Sequence, residues 1–153
     1  IRNCDWSSDV CSSDLVHPQI EIKTSYARSI LPKEVPLKSA VTQWSNVAGL
    51  VTGFLQKDIA LIGRSLHDVI VEPVRCTLIP GFDEVKQKSL QAGALGGGIS
   101  GSGPSLFMLS ADKNIAEQVE KEMAAIYQKL GIDFKTYVST MAPQGVRVLE
   151  MSE

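Results

Sequence analysis

The chain has 153 residues with a formal net charge of −2, and 44% of its residues are hydrophobic. That length suits one domain with a sizeable core. Because lysine and arginine form no dense cluster, a nucleic-acid partner is not expected. No apolar run reaches the roughly 18 residues that would span a bilayer. The three cysteines suggest neither a disulfide framework nor a metal-ligand pair, so a soluble protein of the reducing cytoplasm is predicted.

Residues 1–15 are set apart from the rest of the chain by a repeated motif. The stretch DWSSDVCSSDL, residues 5–15, contains Ser-Ser-Asp twice, and its codons can be written as a common short-read sequencing adapter. A pair of polar turns in a flexible leader is the simpler alternative. We interpret residues 1–15 as a non-native, disordered leader and predict that the native domain occupies residues 16–153.

The first elements after the leader are a strand, a short helix and a long helix. VHPQIEIKT, residues 16–24, alternates apolar and polar side chains, which predicts a half-buried strand. SYARSILP predicts a short helical turn that begins at Ser25. Apolar residues then recur at helical spacing through LKSAVTQWSNVAGLVTGFLQ, which predicts a core helix broken near Gly53 or Lys57. Its core stripe is predicted to include Trp44, Val47, Val51 and Phe54.

The remaining elements predict an α+β fold. They are helices over 59–66, 67–76 and 83–93, a buried strand over 105–110, a helix capped by Asp112 or Asn114 and ended by Gly131, and strands around 134–137 and 146–148. Helices and strands alternate without the regularity of a parallel sheet. Two layers with a mainly antiparallel sheet are therefore predicted.

A glycine-rich stretch, LGGGISGSGPSLFML, occupies residues 95–109. It contains the letters GxGxxG, but the dinucleotide fingerprint follows a strand and opens a helix, whereas here a helix precedes and a strand follows. No Gly-Lys-Ser or Gly-Lys-Thr occurs, so it is no Walker A loop. Two interpretations stay open: backbone N–H groups that converge on an anion, or a bend that lets two backbones approach closely. In the first, hydroxyl donors would come from Ser100, Ser102 and Ser105.

Three stretches together resemble the GHMP kinase family. GALGGGISGSGPSLFML is similar to its third signature motif, while TSYARSILP and DVIVEPVRCTLIPGF resemble the branch that phosphorylates L-homoserine. The resemblance runs from about Val16 to Leu149. It implies a ferredoxin-like C-terminal domain of an enzyme that transfers the γ-phosphoryl group of ATP, with Mg²⁺, to the L-homoserine hydroxyl, and it allows a homodimer of the full-length enzyme. The main nucleotide contacts and the metal ligands would belong to an N-terminal domain absent from this sequence, so the fragment alone is expected to be inactive.

The resemblance also implies roles for particular residues. Arg28 and Arg75 would bind the substrate carboxylate, for which a bidentate arginine is the best geometric match, and Thr24 would add its hydroxyl. The glycine-rich motif would line the active site and brace the missing phosphate loop with Gly96, Gly97, Gly98, Ser100, Gly101, Ser102 and Gly103. Neither a catalytic residue nor a metal ligand is predicted in this chain.

Alternatives remain for the arginines and for the whole chain. Each arginine could be a surface residue paired with an acid, for instance Arg75 with Glu72 at i−3. His17 and His67 fall in no motif and are interpreted as incidental. The substrate could be another small carboxylate-bearing alcohol, or the chain could be a free-standing ferredoxin-like module that binds a small molecule.

Overall fold

The structure is a computed structural model that describes residues 12–140. Its strands are β1 (Ser12–Pro18), β2 (Gly96–Ile99), β3 (Leu106–Ser110) and β4 (Phe134–Thr140). Its helices are α1 (Thr24–Ser29), α2 (Leu37–Gln56), α3 (Ile59–Ser65), α4 (Glu72–Arg75), α5 (Phe82–Gln91) and α6 (Lys113–Leu130). No helix in this part of the chain is long and apolar enough to cross a membrane.

The four strands form one antiparallel sheet in the order β2-β3-β1-β4. The first strand along the chain is therefore central, between β3 and β4. Helix α5 leads into β2, and α6 connects β3 to β4. This is the ferredoxin-like arrangement, with α1 to α4 inserted after β1. The predicted α+β class and antiparallel sheet are confirmed.

The core lies between one face of the sheet and helices α5 and α6. Val16 of β1 and Leu106 and Met108 of β3 are fully buried on this face, because residues two apart on a strand point the same way. Helix α6 contributes the buried side chains of Val119, Met123, Ile126 and Tyr127 to this core. Its predicted ends are also confirmed, since the Asp112 carboxylate accepts from the Ile115 N–H at 3.0 Å and Gly131 closes the helix at φ +65°.

Strand β1 begins earlier than the sequence predicts. Residues 12–15, assigned to the leader, form the first half of this strand, with Leu15 opposite Phe107 on one side and Tyr137 on the other. The prediction of disorder is therefore wrong for these four residues; residues 1–11 lie outside the described part. The strand predicted over 16–24 ends at Pro18, because proline has no N–H to continue the ladder.

Helix α2 is confirmed as a helix but only partly as a core element. It ends at Gln56, where Lys57 adopts φ +57°, and one side packs against α3 through Gly53. A Cβ at Gly53 would lie 2.9 Å from Ile62 Cγ1, so glycine permits this close approach. The core assignment is wrong for Trp44, Val47 and Val51, which are exposed. Helix α2 has apolar residues on two sides. The side that packs against α3 is covered, and the other side is not covered by the described residues.

Two other predicted elements differ from the structure or lie outside it. The helix predicted over 67–76 is confined to α4 with a short 3₁₀ turn, Cys76–Leu78. Before it, Asp68 Oδ1 accepts from the N–H groups of Ile70 and Val71 at 2.8 and 2.9 Å, which holds this segment as a turn. The strand around residues 146–148 falls outside the described part.

Candidate active site

The glycine-rich stretch forms a strand, a turn and a second strand. Gly96, Gly97 and Gly98 belong to β2 and are buried, whereas the sequence predicted a loop between a helix and one strand. A Cβ at Gly97 would overlap the carbonyl oxygen of Phe107 in β3. The close-approach interpretation therefore holds for this half of the motif, because only glycine lets β2 and β3 pair at that separation.

The second half of the motif is a turn between β2 and β3 that we call the glycine turn, residues 100–105. Ser100 N–H donates to the Ser105 carbonyl at 2.8 Å and Gly103 N–H to the Ser100 carbonyl at 3.1 Å. Gly101 has φ +61° and faces open space on its Cβ side. The N–H groups of Gly101 and Ser102 donate to no residue between 12 and 140. Among the described residues nothing competes with an anion for these two donors.

Arg75 connects α4 to the glycine turn and to α1. Its Nε donates to the Ala27 carbonyl at 3.0 Å and its Nη1 to the Gly101 carbonyl at 2.9 Å. An arginine carries five N–H donors, so these two bonds leave others for a ligand. The bonds also fix the plane of the guanidinium, which is the condition for binding a planar carboxylate in two-point fashion.

The structure does not support a pairing of Arg75 with Glu72. The nearly buried Glu72 carboxylate forms its salt bridge with Lys86 of α5 and lies against Gly98, where a Cβ would come within 2.8 Å of Oε2. Within residues 12–140 no carboxylate forms a salt bridge with Arg75. The guanidinium charge beside the glycine turn is therefore not neutralised by a described acid.

Helix α1 brings the other predicted site residues to the same place. Thr24 Oγ1 lies 3.3 Å from Ser102 Oγ, which joins the first turn of α1 to the glycine turn. Arg28 follows one helical turn later and is exposed, and its side chain forms no hydrogen bond or ion pair with another described residue. Thr24, Arg75, Gly101 and Ser102 are thus joined in one group by hydrogen bonds. Arg28 lies on α1 beside that group and forms no hydrogen bond or ion pair with it.

His17 supports the base of the glycine turn, a position that sequence reasoning missed. Its Nδ1 lies 2.7 Å from Ser105 Oγ, across 88 residues of sequence. No motif marks this histidine. The only signal is the strand register: Val16 pairs with Leu106, so the next residue of β1 falls opposite the last residue of the turn.

The family model described as "GHMP kinases C terminal" matches residues 50–129. The chain belongs to this family. A solved structure of the Streptococcus pneumoniae phosphomevalonate kinase, 14% identical, shares the fold with a TM-score of 0.64 and covers 86% of this chain and 40% of its own.

Within the family, the chain is similar to homoserine kinases. It is 50% identical over 137 residues to the homoserine kinase of Chlorobaculum tepidum, covering 88% of this chain and 42% of that protein. It is 51% identical over 136 residues to that of Chloroherpeton thalassium, covering 88% and 43%. The crystal structure of the Cytophaga hutchinsonii homoserine kinase superposes with a TM-score of 0.87 at 48% identity, covering 90% and 44%. The chain therefore spans less than half the length of these relatives and corresponds to their C-terminal part.

Proposed function

We propose that this chain is the C-terminal part of a homoserine kinase, which with its upstream part phosphorylates the hydroxyl of L-homoserine with ATP in the cytoplasm. The similarity to homoserine kinases supports the reaction. The observation that carries it for these residues is Arg75: a positioned guanidinium with no acidic partner in the described part, next to two free backbone N–H groups. Cation and N–H donors at one place suit a substrate carboxylate and a phosphoryl group together.

In this proposal each site residue has a separate task. Arg75 holds the homoserine carboxylate, with Arg28 approaching from α1, and Thr24 donates its hydroxyl to the same ligand. The N–H groups of Gly101 and Ser102 face the phosphoryl group. Such fixed donors stabilise developing charge without any change of protonation. In this proposal Mg²⁺ and the main ATP contacts belong to the upstream part, as the family resemblance implies.

We also propose that the native domain starts at Val16 and that residues 1–15 replace its natural upstream sequence. Asp14 supports this, because its carboxyl is fully buried at an inward position of the central strand and one of its oxygens has no hydrogen-bond partner among the described residues. An apolar residue is expected there in the native protein. Resequencing the genomic locus tests the proposal: finding codons for DWSSDVCSSDL upstream of Val16 would refute it.

Kinase activity is testable with a chimera. The upstream part of the Chlorobaculum tepidum homoserine kinase, joined at Val16, should restore ATP-dependent phosphorylation of L-homoserine, while the 153-residue chain alone shows no turnover. The assay includes other hydroxy acids as acceptors. If the chimera phosphorylates one of those hydroxy acids faster than homoserine, the proposed enzyme class stands and the proposed substrate is wrong. Tight binding of homoserine by the chain alone would instead favour a free-standing binding module.

Arg75→Ala in that chimera tests the carboxylate role. Losing a charged hydrogen bond of about 1.5–3 kcal/mol should raise the KM for homoserine about 10- to 100-fold, with the KM for ATP changed less than about three-fold. Arg64→Ala is the matched control, since Arg64 is exposed on α3 and belongs to no motif. Equal increases for both substrates in Arg75→Ala would contradict the assignment.

A further inference from the structure

The glycine turn is hydrogen-bonded by three side chains that lie outside it in the described part of the chain. Two of them, Thr24 and Arg75, are already used by the proposed function. The third is His17 of β1, which is half-buried and whose Nδ1 lies 2.7 Å from Ser105 Oγ. Since His17 belongs to no motif and the proposed function gives Ser105 no ligand, this third bond calls for a separate explanation.

The bond from His17 begins where the backbone ladder between β1 and β3 ends. The ladder covers Ser12 to Val16 of β1, and its last pair joins Val16 to Leu106. On its other side β1 continues to pair with β4, where His17 lies opposite Lys135. The backbone of His17 is therefore fixed by β4, while its side chain reaches the glycine turn at the place where the next β1–β3 pair would fall.

Ser105 connects this bond to the rest of the glycine turn. Its carbonyl accepts from the Ser100 N–H at 2.8 Å, so the two ends of the turn are joined at the residue that His17 holds. Pro104 has no N–H with which the backbone could add a further bond there. Ser100 directly precedes Gly101, whose N–H is one of the two free donors. A displacement of Ser105 would therefore reach those donors through a single hydrogen bond.

We propose that His17 is a positioning residue for phosphoryl transfer: its imidazole, acting through Ser105, holds the glycine turn so that the two free N–H groups stay directed at the phosphoryl group. A serine hydroxyl can donate or accept, so either tautomer of the imidazole completes the bond. Donors of this kind stabilise developing charge because they are in place before the reaction. The role in phosphoryl transfer rests on the proposed function, whereas the holding of the turn does not.

Two substitutions of His17 in the chimera separate the two ring nitrogens. Asparagine carries an amide atom at the same distance from Cβ as Nδ1, whereas glutamine carries its amide atoms at the distance of Nε2. His17→Gln should lower kcat about 10- to 100-fold, because a displacement of about 1 Å has an effect of that size. His17→Asn should keep kcat within about three-fold of the parent.

The Michaelis constants distinguish this role from that of Arg75. In His17→Gln the KM values for homoserine and for ATP should change less than about three-fold, because the lost interaction acts in the transition state. Arg75 keeps its own bond to the Ala27 carbonyl when the turn moves, so the carboxylate is still held. A rise in the KM for homoserine with kcat unchanged would contradict the assignment.

Ser105→Ala removes the same bond from its other end and leaves β1 intact. If His17 acts through Ser105, His17→Gln combined with Ser105→Ala should lower kcat no further than either single variant, to within about two-fold. Two losses that multiply would overturn the proposal. Lys135→Gln is the matched control with the parent's kcat, because Lys135 is exposed and pairs with His17 on the side of β1 away from the turn.

The order of the glycine turn is measured on the 153-residue chain itself, which needs no kinase activity. From ¹⁵N relaxation, the order parameters of the Gly101 and Ser102 amides should be about 0.85 in the parent and in His17→Asn. They should fall below about 0.6 in His17→Gln and in Ser105→Ala. Circular dichroism establishes that the variants are folded, and Ser105→Ala answers the question if His17→Gln is not.

The outcomes separate this proposal from the proposed function. A loss of kcat in His17→Gln that His17→Asn avoids, with a turn that loosens in the same variant, supports it. Equal kcat in the asparagine and glutamine variants, or a turn that stays ordered in both, overturns it even where the parent chimera is an active kinase. An inactive parent chimera would refute the proposed function and the role in phosphoryl transfer, while the relaxation measurement still decides whether His17 holds the turn.

Discussion

At the scale of single residues, Asp14 is unusual because its carboxyl group is fully buried in the sheet. Burial raises its pKa to about 6 from an ordinary 3.8, against the opposing effect of the Ser110 hydroxyl that donates to Oδ2 at 2.8 Å; Glu120 nearby raises it further. The folded chain therefore holds this proton more tightly than the unfolded chain. The associated stability is complete below pH 3.8 and is lost as the pH rises through about 6.

Asp14→Asn should remove this pH dependence, because an amide has no proton to lose in this range. A change of about two pKa units corresponds to about 3 kcal/mol. Relative to the variant, the parent chain should lose on the order of 3 kcal/mol of unfolding free energy between about pH 4 and pH 7. Urea unfolding of both proteins at several pH values measures the difference between their free energies of unfolding. The contributions of the other carboxylates are common to both proteins and cancel in this difference. Parallel curves for the two proteins would contradict the prediction.

Single residues also show where sequence reasoning stops. The motif singles out Arg75, which lies beside the glycine turn in the structure, but the motif could not tell whether Glu72 would neutralise it. That outcome depends on Lys86, which lies 14 residues further on and reaches Glu72 because of how α5 packs. The link between His17 and Ser105 depends on strand register in the same way. Local patterns identify the groups, and tertiary packing selects their partners.

At the scale of elements, the pairing of β2 with β3 depends on Gly97. An added methyl group there would overlap the Phe107 carbonyl and come within 2.8 Å of Met108 Cα, which are backbone atoms that cannot move aside cheaply. Gly97→Ala should lower the free energy of unfolding by about 2–4 kcal/mol. Gly101→Ala is the control: it meets open space at φ +61° and should cost only about 1 kcal/mol for the left-handed backbone. Equal losses in chemical denaturation would argue against the close approach.

Helices were predicted better than the glycine strand or the exposure of α2. Periodicity located α2, α5 and α6, and Asp112 and Gly131 marked the ends of the last. At β2 the composition predicted a loop, because three successive glycines are typical of loops. These glycines form a strand because they pair with β3. For α2, an apolar stripe indicates that a surface is covered, but the pattern does not say by which chain.

At the scale of the whole molecule, the sheet order makes the first strand along the chain the central one. β1 pairs along its length with β4 and, from Ser12 to Val16, with β3. The irregular order of helices and strands along the chain predicted a mainly antiparallel sheet. The strand order β2-β3-β1-β4 could not be predicted from local pattern, since it depends on contacts across most of the chain. The sequence prediction missed the first four residues of this strand because it assigned residues 12–15 to a non-native leader. Backbone hydrogen bonds in a sheet form whether or not the residues are native.

Deleting residues 1–15 should therefore destabilise the chain even if they are foreign. The deletion removes Ser12 to Leu15 from the middle of the sheet and leaves backbone groups of β3 and β4 without partners. At about 1 kcal/mol for each lost hydrogen bond, the free energy of unfolding should fall by at least about 4 kcal/mol. That loss is enough to abolish the thermal unfolding transition or to lower its midpoint temperature greatly. Asp14→Val in the intact chain is the control, because it keeps the backbone ladder and removes the buried carboxyl, and it should raise the midpoint. If instead the truncated chain melted at the parent's temperature, β1 would contribute no pairing energy before Val16.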